Sequence, residues 1–245
     1  MKTILVLFGG CSTEYEVSLH SAYAVLSHMD PARYTPLAVG ITREGQWLCY
    51  TGDLSRLEDG TWQQAADCIP CPPLVEREAH ALLLLDGSGR RLLFDAVFPV
   101  LHGKNGEDGT VQGLLQLAGI PFVGCDATAS GVCMDKAVTN AVADAVGIAQ
   151  AKWCAYTRFA YDSDREGCLQ AAEEKLGYPI FVKPANAGSS VGITKAHDRD
   201  ELKQAIALAL ENDHKVVFEA FVDGHEVECA VIGSDPAVAT RPGEI

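Results

Sequence analysis

Three stretches of the chain concentrate the residue types that hold small charged molecules. The first, Gly9-Gly-Cys-Ser-Thr-Glu-Tyr-Glu-Val-Ser18, joins an apolar run to a helix start. Glycine lets the backbone approach a ligand closely, and helix N-terminal amides favour an anion. Two carboxylates in that loop sit badly with a phosphate site. Thr13 and Glu16 have the spacing of a capping box, which accounts for Glu16. Glu14 then has two readings: it holds a substrate ammonium group, or it is a first-turn carboxylate favoured by the helix dipole. The second stretch, His102-Gly-Lys-Asn-Gly-Glu-Asp-Gly109, gathers a histidine, glycines and two acids after another apolar run, a composition suited to a substrate loop. As metal ligands, His102, Glu107 and Asp108 match no standard spacing. In the third, Lys183 precedes Gly188-Ser-Ser-Val-Gly192, so a cation stands near amides and small hydroxyls that can cover phosphates. The G-x-x-x-x-G-K-[ST] of a P-loop is absent. In the same half of the chain, Glu219-Ala-Phe-Val222 leaves a strand and turns at Gly224 before Glu226. Backbone groups of such a hinge can read a nucleobase edge and a carboxylate can hold ribose hydroxyls, although alone the segment reads as a solvated turn.

These loops need elements to position them. Lys2–Phe8 is a continuous apolar run of the kind a strand buried on both faces requires, and Gly9-Gly10 stops it. A helix from about Glu14 to Met29 ends at Asp30-Pro31, and Thr35–Ile41 follows as a strand, giving a βαβ opening with parallel strands. Residues 42–94 are less regular, with hairpins expected at Glu44-Gly45 and at Asp86-Gly-Ser-Gly89. Asp95–Leu101 is a second buried strand, followed by a helix with Val111, Leu114, Leu115 and Ala118 on one face and by a short strand Ile120–Val123. A helical stretch over Ala127–Val146 leads to a second unit. There Ser163 and Glu166 cap a helix ended by Gly177, Ile180–Lys183 and Ile193–Lys195 are strands, and Asp198 and Glu201 cap a helix burying Leu202, Ala205, Ile206, Ala209 and Leu210. Val216–Glu219 and Glu226–Ile232 are the last strands. The boundary between the units falls near 124–135, dividing the chain into 1–125 and 126–245.

Composition limits the partners. At 245 residues, 48% apolar and 21% charged, the chain can build a sizeable core and is neither disordered nor collagen-like. A net charge of −14 argues against general affinity for nucleic acid or anionic membranes, while permitting a local anion site built from two lysines. Its longest apolar runs, Ile4–Phe8 and Ala81–Leu85, are far shorter than the roughly 20 residues of a membrane span, and no signal-peptide cleavage site follows Met1. Nine cysteines, with Cys68-x-x-Cys71 the only such pair, read as reduced thiols. A cytoplasmic protein is expected.

Taken in order, five motifs resemble the D-alanine–D-alanine ligase family of ATP-grasp enzymes. They are Phe8-Gly-Gly-Cys-Ser-Thr-Glu-Tyr-Glu-Val-Ser18, Leu101-His-Gly-Lys-Asn-Gly-Glu-Asp-Gly-Thr110, Met134-Asp-Lys136, Val182-Lys-Pro184 and Gly188-Ser-Ser-Val-Gly192. The wording of the first two is also similar to ligases of vancomycin-resistance type, which make D-alanyl-D-serine. The resemblance implies an α/β chain: a Rossmann-like parallel-sheet domain preceding the ATP-grasp unit, then the α+β central part of that unit. It implies ATP-dependent ligation of two D-alanines for peptidoglycan precursors. The first carboxylate takes the γ-phosphoryl group of ATP, and the second amine attacks the acyl phosphate. Glu14 would hold the first ammonium group, with Ser189 orienting Glu14 and substrate, and His102 would sit by the first carboxylate. Lys136 and Lys183 would bind phosphates under a loop carrying Ser190; Glu219 and the backbone near Val222 would contact adenine, and Glu226 the ribose. At Ala220 the family often has a lysine facing the adenine, so nucleotide contacts are expected to be arranged differently here. A homodimer is a further expectation.

Family members usually continue for about another hundred residues, a domain-sized piece. That stretch supplies acidic and asparagine ligands for Mg²⁺, an arginine and the loop closing on the second substrate. Asp223–Ile245 holds no Asp/Glu-x-Asn signature. The resemblance therefore implies a ligase without the C-terminal part of its ATP-grasp domain, unable alone to make dipeptide from ATP, magnesium and D-alanine. Two other readings stand beside it: a non-catalytic remnant that binds nucleotide or D-amino acid, and an ATP-grasp ligase of different substrate choice.

Overall fold

Two buried apolar runs, hydrogen-bonded side by side, found the first half of the chain. β1 (Lys2–Gly9) pairs in parallel with β2 (Tyr34–Ile41) along its whole length, and α1 (Tyr15–His28) makes the crossover. The computed structural model describes every residue except Ala65, Glu78 and Ser189. β3 (Trp47–Tyr50) returns antiparallel after the expected Glu44-Gly45 turn, and the chain passes α2 (Ser55–Glu58) to reach β4 (Cys68–Pro70). The hairpin β5 (Ala81–Leu83) and β6 (Arg91–Leu93) precedes β7 (Ala96–Pro99), which pairs in parallel with the other edge of β1. The sheet order is β4-β3-β2-β1-β7.

With β1 inside the sheet, alternate residues must find cover on opposite faces. Leu5 and Leu7 pack with Val111 and Leu115 of α3 (Thr110–Leu117), whereas Val6 and Phe8 pack with Leu19, Ala22 and Leu26 of α1. The irregular stretch before β4 is anchored by Trp62, fully buried and edge-on to Phe8 at 5.0 Å and to Tyr50 at 5.9 Å. A Cβ on Gly40 would lie 2.2 Å from the Trp62 ring, so β2 needs glycine there. The strand expected at Ile120–Val123 shrinks to one bridge, Val97 to Phe122.

The second half forms its own sheet. After α4 (Ala127–Met134) and α5 (Lys136–Ala145) come β8 (Trp153–Thr157), α6 (Arg158–Ser163), α7 (Arg165–Leu176), β9 (Ile180–Pro184), β10 (Thr194–Ala196), α8 (Arg199–Asn212) and β11 (Lys215–Ala220). The order is β10-β9-β11-β8, antiparallel throughout. On one face Ile180, Val182, Val216 and Phe218 pack against Leu169 and Ala172 of α7 and Leu202, Ala205, Ile206, Ala209 and Leu210 of α8. Phe181, Lys183, Lys195 and Glu219 occupy the alternate positions that face the other way, and all four are only partly buried.

Local chemistry corrects three expectations. The helix expected over Ala127–Val146 is two helices, because Asp135 adopts an extended backbone and caps α5 by accepting from the amides of Ala137 and Val138. Asp164, not Ser163, caps α7, its carboxylate accepting from Gly167 N. The strand expected at Glu226–Ile232 is two short pieces: β12 (Val227–Glu228) pairs with β15 (Gly243–Glu244), and β13 (Val231–Ile232) with β14 (Val238–Ala239). At the start of α8, by contrast, Asp198 accepts from Asp200 N and Glu201 N while Glu201 accepts from His197 N at 2.8 Å, a reciprocal cap as expected. Among the described residues no helix is long and apolar enough to cross a membrane.

Every residue from Phe221 to Ile245 is exposed, and two-residue strands joined in hairpins are marginal without a packed face. Limited thermolysin digestion, which cuts before apolar residues such as Val222, Val227 and Val231, should cut first within residues 222–245 and leave a resistant product ending near Ala220. Mass spectrometry of the early products checks this, and first cuts inside β9 or β11 would contradict it.

Candidate functional site

The three chemically loaded stretches converge on one carboxylate. Glu14 stands at the N-terminus of α1 and is 8% exposed. A Cβ built on Gly103 would lie 2.2 Å from Glu14 Oε2, and one on Gly188 would lie 2.3 Å from the same oxygen. Both glycines thus press bare backbone against the carboxylate, one from the His102 loop and one from the Gly-Ser-Ser loop. A cleft of about 400 Å³ opens beside them, lined by Ser12, Glu14, Arg43, Lys104, Asn186 and Gly188 among others.

The loop that presents Glu14 is fixed at both ends. Gly10 N donates to Ile41 O at 2.8 Å, and Gly9 N donates to Ser18 Oγ at 2.8 Å. The Ser18 hydroxyl in turn donates to Val100 O, bringing in the strand end that leads to His102. Gly9 has φ +83° and no space for a Cβ, which would meet Ile41 O at 2.3 Å. Tyr15 is buried under the Arg43 guanidinium, 4.4 Å from its ring centroid, and its hydroxyl accepts from Trp62 Nε1 at 2.9 Å. Burial pushes the Tyr15 phenol up. The capping box expected from Thr13 and Glu16 does not form. Helix α1 begins at Tyr15, and Glu16 reaches sideways to Arg43, whose guanidinium hydrogen bond holds that carboxyl below the usual carboxylate range.

The His102 loop separates a polar ring from its acids. His102 Nε2 lies 3.0 Å from Ser21 Oγ of α1. Glu107 accepts from Gly103 N at 2.7 Å, while Asp108 accepts from Asn105 N at 2.8 Å and from Thr110 N at 3.0 Å. Both acids therefore hold the turn. Among the described residues no group of three or more His, Cys, Asp or Glu side chains is placed to hold a metal ion, so these residues do not fit a magnesium site and no step is routed through one.

A cation cluster lies next to the Gly-Ser-Ser loop. Lys183 pairs with Glu219 at 2.5 Å, and Asn140 of α5 donates to the other oxygen of Glu219 at 3.1 Å. Lys136, the first residue of α5, donates from Nζ to Ala187 O at 2.6 Å. Burial and the neighbouring Lys183 charge draw the Lys136 ammonium below the ordinary lysine range, against the opposing pull of Glu219, Asp213 and Asp135. Two adjoining ammonium groups, one of them half-buried, fit an anion such as a phosphate.

Sequence reading missed the framework of this cluster. Lys215 pairs with the Asp135 carboxylate, its carbonyl accepts from Ala185 N at 2.9 Å, and Ala185 O accepts from Lys136 N at 3.0 Å. Asp213 holds Asn186 by its amide at 2.7 Å and its side chain at 2.9 Å, and those hydrogen bonds help keep the Asp213 carboxyl low despite burial. Asp135 beside Lys136 in Met134-Asp-Lys was the one visible signal.

Other expected site residues are placed less closely. Ser189 lies outside the described residues. Ser190 is exposed in a turn at φ +57°, with its carbonyl accepting from Ile193 N at 3.2 Å. Val222 and Glu226 stand on the exposed C-terminal ribbon, away from the packed sheet.

Lys136 supplies a pH test. Its folded-state pKa is lowered, so between that value and the roughly 10.4 of a free lysine the unfolded chain binds more protons than the folded one. Stability contributed through this residue therefore rises with pH across that window. Lys136→Met should flatten the rise, measured as urea midpoints of both proteins from pH 8 to 10.5, and parallel pH profiles would refute the assignment.

The chain is similar to known proteins along most of its length. Residues 3–125 match the family described as D-ala D-ala ligase N-terminus, and residues 142–245 match D-ala D-ala ligase C-terminus. A D-alanine–D-alanine ligase of Acetivibrio thermocellus is 44% identical over 256 residues, covering 100% of this chain and 68% of that protein. One of Caldicellulosiruptor bescii is 44% identical over 243 residues, covering 99% of this chain and 66% of its own length. The crystal structure of the VanG D-Ala:D-Ser ligase from Enterococcus faecalis superposes with TM-score 0.90 at 43% identity, covering 99% of this chain and 69% of that one. The D-alanine–D-alanine ligase from Coxiella burnetii gives TM-score 0.87 at 32% identity, covering 100% of this chain and 71% of that one. The chain thus spans about two thirds of the length of these relatives. On the family matches, the identities and the shared fold, the chain belongs to the D-alanine–D-alanine ligase family.

Proposed function

We propose that the protein binds the first D-alanine and ATP for an ATP-dependent ligation that yields D-alanyl-D-alanine for peptidoglycan synthesis in the cytoplasm. One observation carries this reading. Gly188 lies against the Glu14 carboxylate while the preceding residue, Ala187, offers its carbonyl to Lys136. An ammonium site and a phosphate site are therefore one residue apart along a single loop, the proximity that transfer of a phosphoryl group to a carboxylate demands.

Glu14 receives the substrate ammonium group, and the glycine walls leave room for a small amino acid. His102, steadied by Ser21, lies at the end of the strand that leads into the same loop cluster and takes the carboxylate side. Lys136 and Lys183 exchange Ala187 O and Glu219 for phosphate oxygens; Ser190 is assigned to the phosphates and Ser189 to orienting Glu14 and the substrate. Glu219, Val222 and Glu226 are assigned to the adenosine moiety. ATP supplies the phosphoryl group that turns a poorly electrophilic carboxylate into an acyl donor, and cations beside the transferred group stabilise its charge. Magnesium accompanies the nucleotide in this scheme, and no described residue is assigned to it. The likeness to the VanG D-Ala:D-Ser ligase favours D-serine as the alternative second substrate.

The two half-sites separate experimentally. Glu14→Gln should weaken D-alanine binding about tenfold or more, as loss of a charged partner does, and leave a non-hydrolysable ATP analogue unaffected. Gly188→Ala should act in the same direction by displacing Glu14. Lys183→Ala should weaken the ATP analogue and spare D-alanine. NMR titration of D-alanine and calorimetry of the analogue read these effects. Equal small losses of both ligands in each variant would sink the assignment.

A further inference from the structure

Arg43 belongs to none of the five motifs, yet it grips the chain on both sides of Glu14. It stands in the tight turn between β2 and β3. Thr42, 3% exposed, makes that turn rigid. Its hydroxyl accepts from Glu44 N at 3.3 Å and from Gln46 N at 3.2 Å, and its carbonyl accepts from Gly45 N at 3.0 Å. The turn also runs along the Glu14 loop, where Ile41 O accepts from Gly10 N and the Cys11 thiol donates to Thr42 O at 3.7 Å. From this base the Arg43 guanidinium donates to Ser12 O at 3.4 Å and to the Glu16 carboxylate, and its carbon lies 4.4 Å from the Tyr15 ring centroid. Ser12 in turn accepts the Glu14 amide on its hydroxyl at 3.1 Å. One side chain therefore fastens the residue two before Glu14 and both residues that follow it.

We propose that Arg43 is the positioning residue for Glu14, holding the carboxylate between Gly103 and Gly188 where it meets the ammonium group of the amino-acid substrate. The proposal rests on the reading of Glu14 as the ammonium site and adds the residue that sets it in place. Stability alone does not account for this arginine. A cation beside a helix N-terminus opposes the helix dipole, and the Arg43–Glu16 pair, with side chains 45% and 63% exposed, contributes little. Its position is better matched to geometry. Helix α1 starts without a side-chain cap, so the backbone around Glu14 lacks the usual local tie. The two bare glycine backbones also leave the carboxylate almost no lateral room. A planar guanidinium that donates in two directions while stacked on a buried ring supplies that tie from outside the loop. A carboxylate fixed in advance binds a cation without the cost of ordering the loop at that moment.

The test titrates the 245-residue chain with D-alanine by NMR and with β,γ-imido-ATP by calorimetry. Arg43→Met should weaken D-alanine about fivefold, the size of one net hydrogen bond, and leave the nucleotide within about twofold. Arg43→Lys, which keeps a cation for Tyr15 and Glu16, should recover most of the loss. Arg43→Gln, a polar replacement without charge, should resemble Arg43→Met and decides the matter if the methionine variant does not fold. A positioning role also requires non-additivity: in the Glu14→Gln background, Arg43→Met should cost less than about twofold more, because the carboxylate it places is gone. Unchanged D-alanine affinity in Arg43→Met and Arg43→Gln, with Glu14→Gln still impaired, overturns the proposal and leaves the ammonium site standing. A full fivefold loss in the Glu14→Gln background overturns it too, because Arg43 then acts on the ligand by itself. Equal loss of D-alanine and nucleotide does the same, since the effect then passes through the whole fold. A wild type that does not bind D-alanine refutes the reading of Glu14 and the proposal with it.

Discussion

The contact on which the site depends is the enclosure of the Glu14 carboxylate between the bare backbones of Gly103 and Gly188. It joins a helix start, a loop after a parallel strand and a loop from the second sheet, three segments far apart in the sequence. A side chain at either glycine would occupy the position of the carboxylate, so the approach is set by the absence of atoms. Everything else in the first half serves to deliver Glu14 to that point. Parallel pairing of β1 with β2 and β7 aligns their carboxyl ends, Ser18 ties Gly9 to Val100, and Arg43 clamps Tyr15 and Glu16.

The second half solves a different problem, which is to keep like charges together. Lys136 and Lys183 adjoin in a partly buried setting, where each opposes the other's charge. The structure offsets this with Glu219 beside Lys183 and with a carbonyl beside Lys136. A second ring of contacts, the Lys215–Asp135 ion pair and the hydrogen bonds that Asn186 donates to Asp213, holds the backbone that carries them. Charges left incompletely balanced at a defined spacing are suited to bind an anion, and they carry a cost in stability while they wait for it. Against a net charge of −14, these adjoining lysines are a local cation site in an acidic chain.

Where sequence and structure part, the cause is local competition for hydrogen bonds. Thr13 and Glu16 had the spacing of a cap, yet Arg43 from the β2–β3 turn offers Glu16 a charged partner that a backbone amide cannot match. Residues 127–146 carry helix-compatible residues throughout, yet the Asp135 carboxylate takes the amides of Ala137 and Val138 and starts a new helix. That interruption places Lys136 in the first turn of α5, where its ammonium donates to Ala187 O. Trp62 shows the reverse case: a residue in a stretch without recognisable periodicity turns out to anchor the core against Phe8 and Tyr50.

Local patterning along the chain specified the apolar strands, the α8 face of Leu202, Ala205, Ile206, Ala209 and Leu210, and the order of the motif loops, because periodicity and capping are encoded over a few neighbouring residues. It also marked Glu14, His102, Lys136 and Lys183 as chemically apt. The burial of Glu14 between two glycines was set by the fold, since it depends on segments roughly ninety and one hundred and seventy residues away. The same is true of the Asp135–Lys215 pair and of Lys195 over Phe221. Such contacts arise when independently formed elements pack, and no local pattern along the chain records which side chains will then meet.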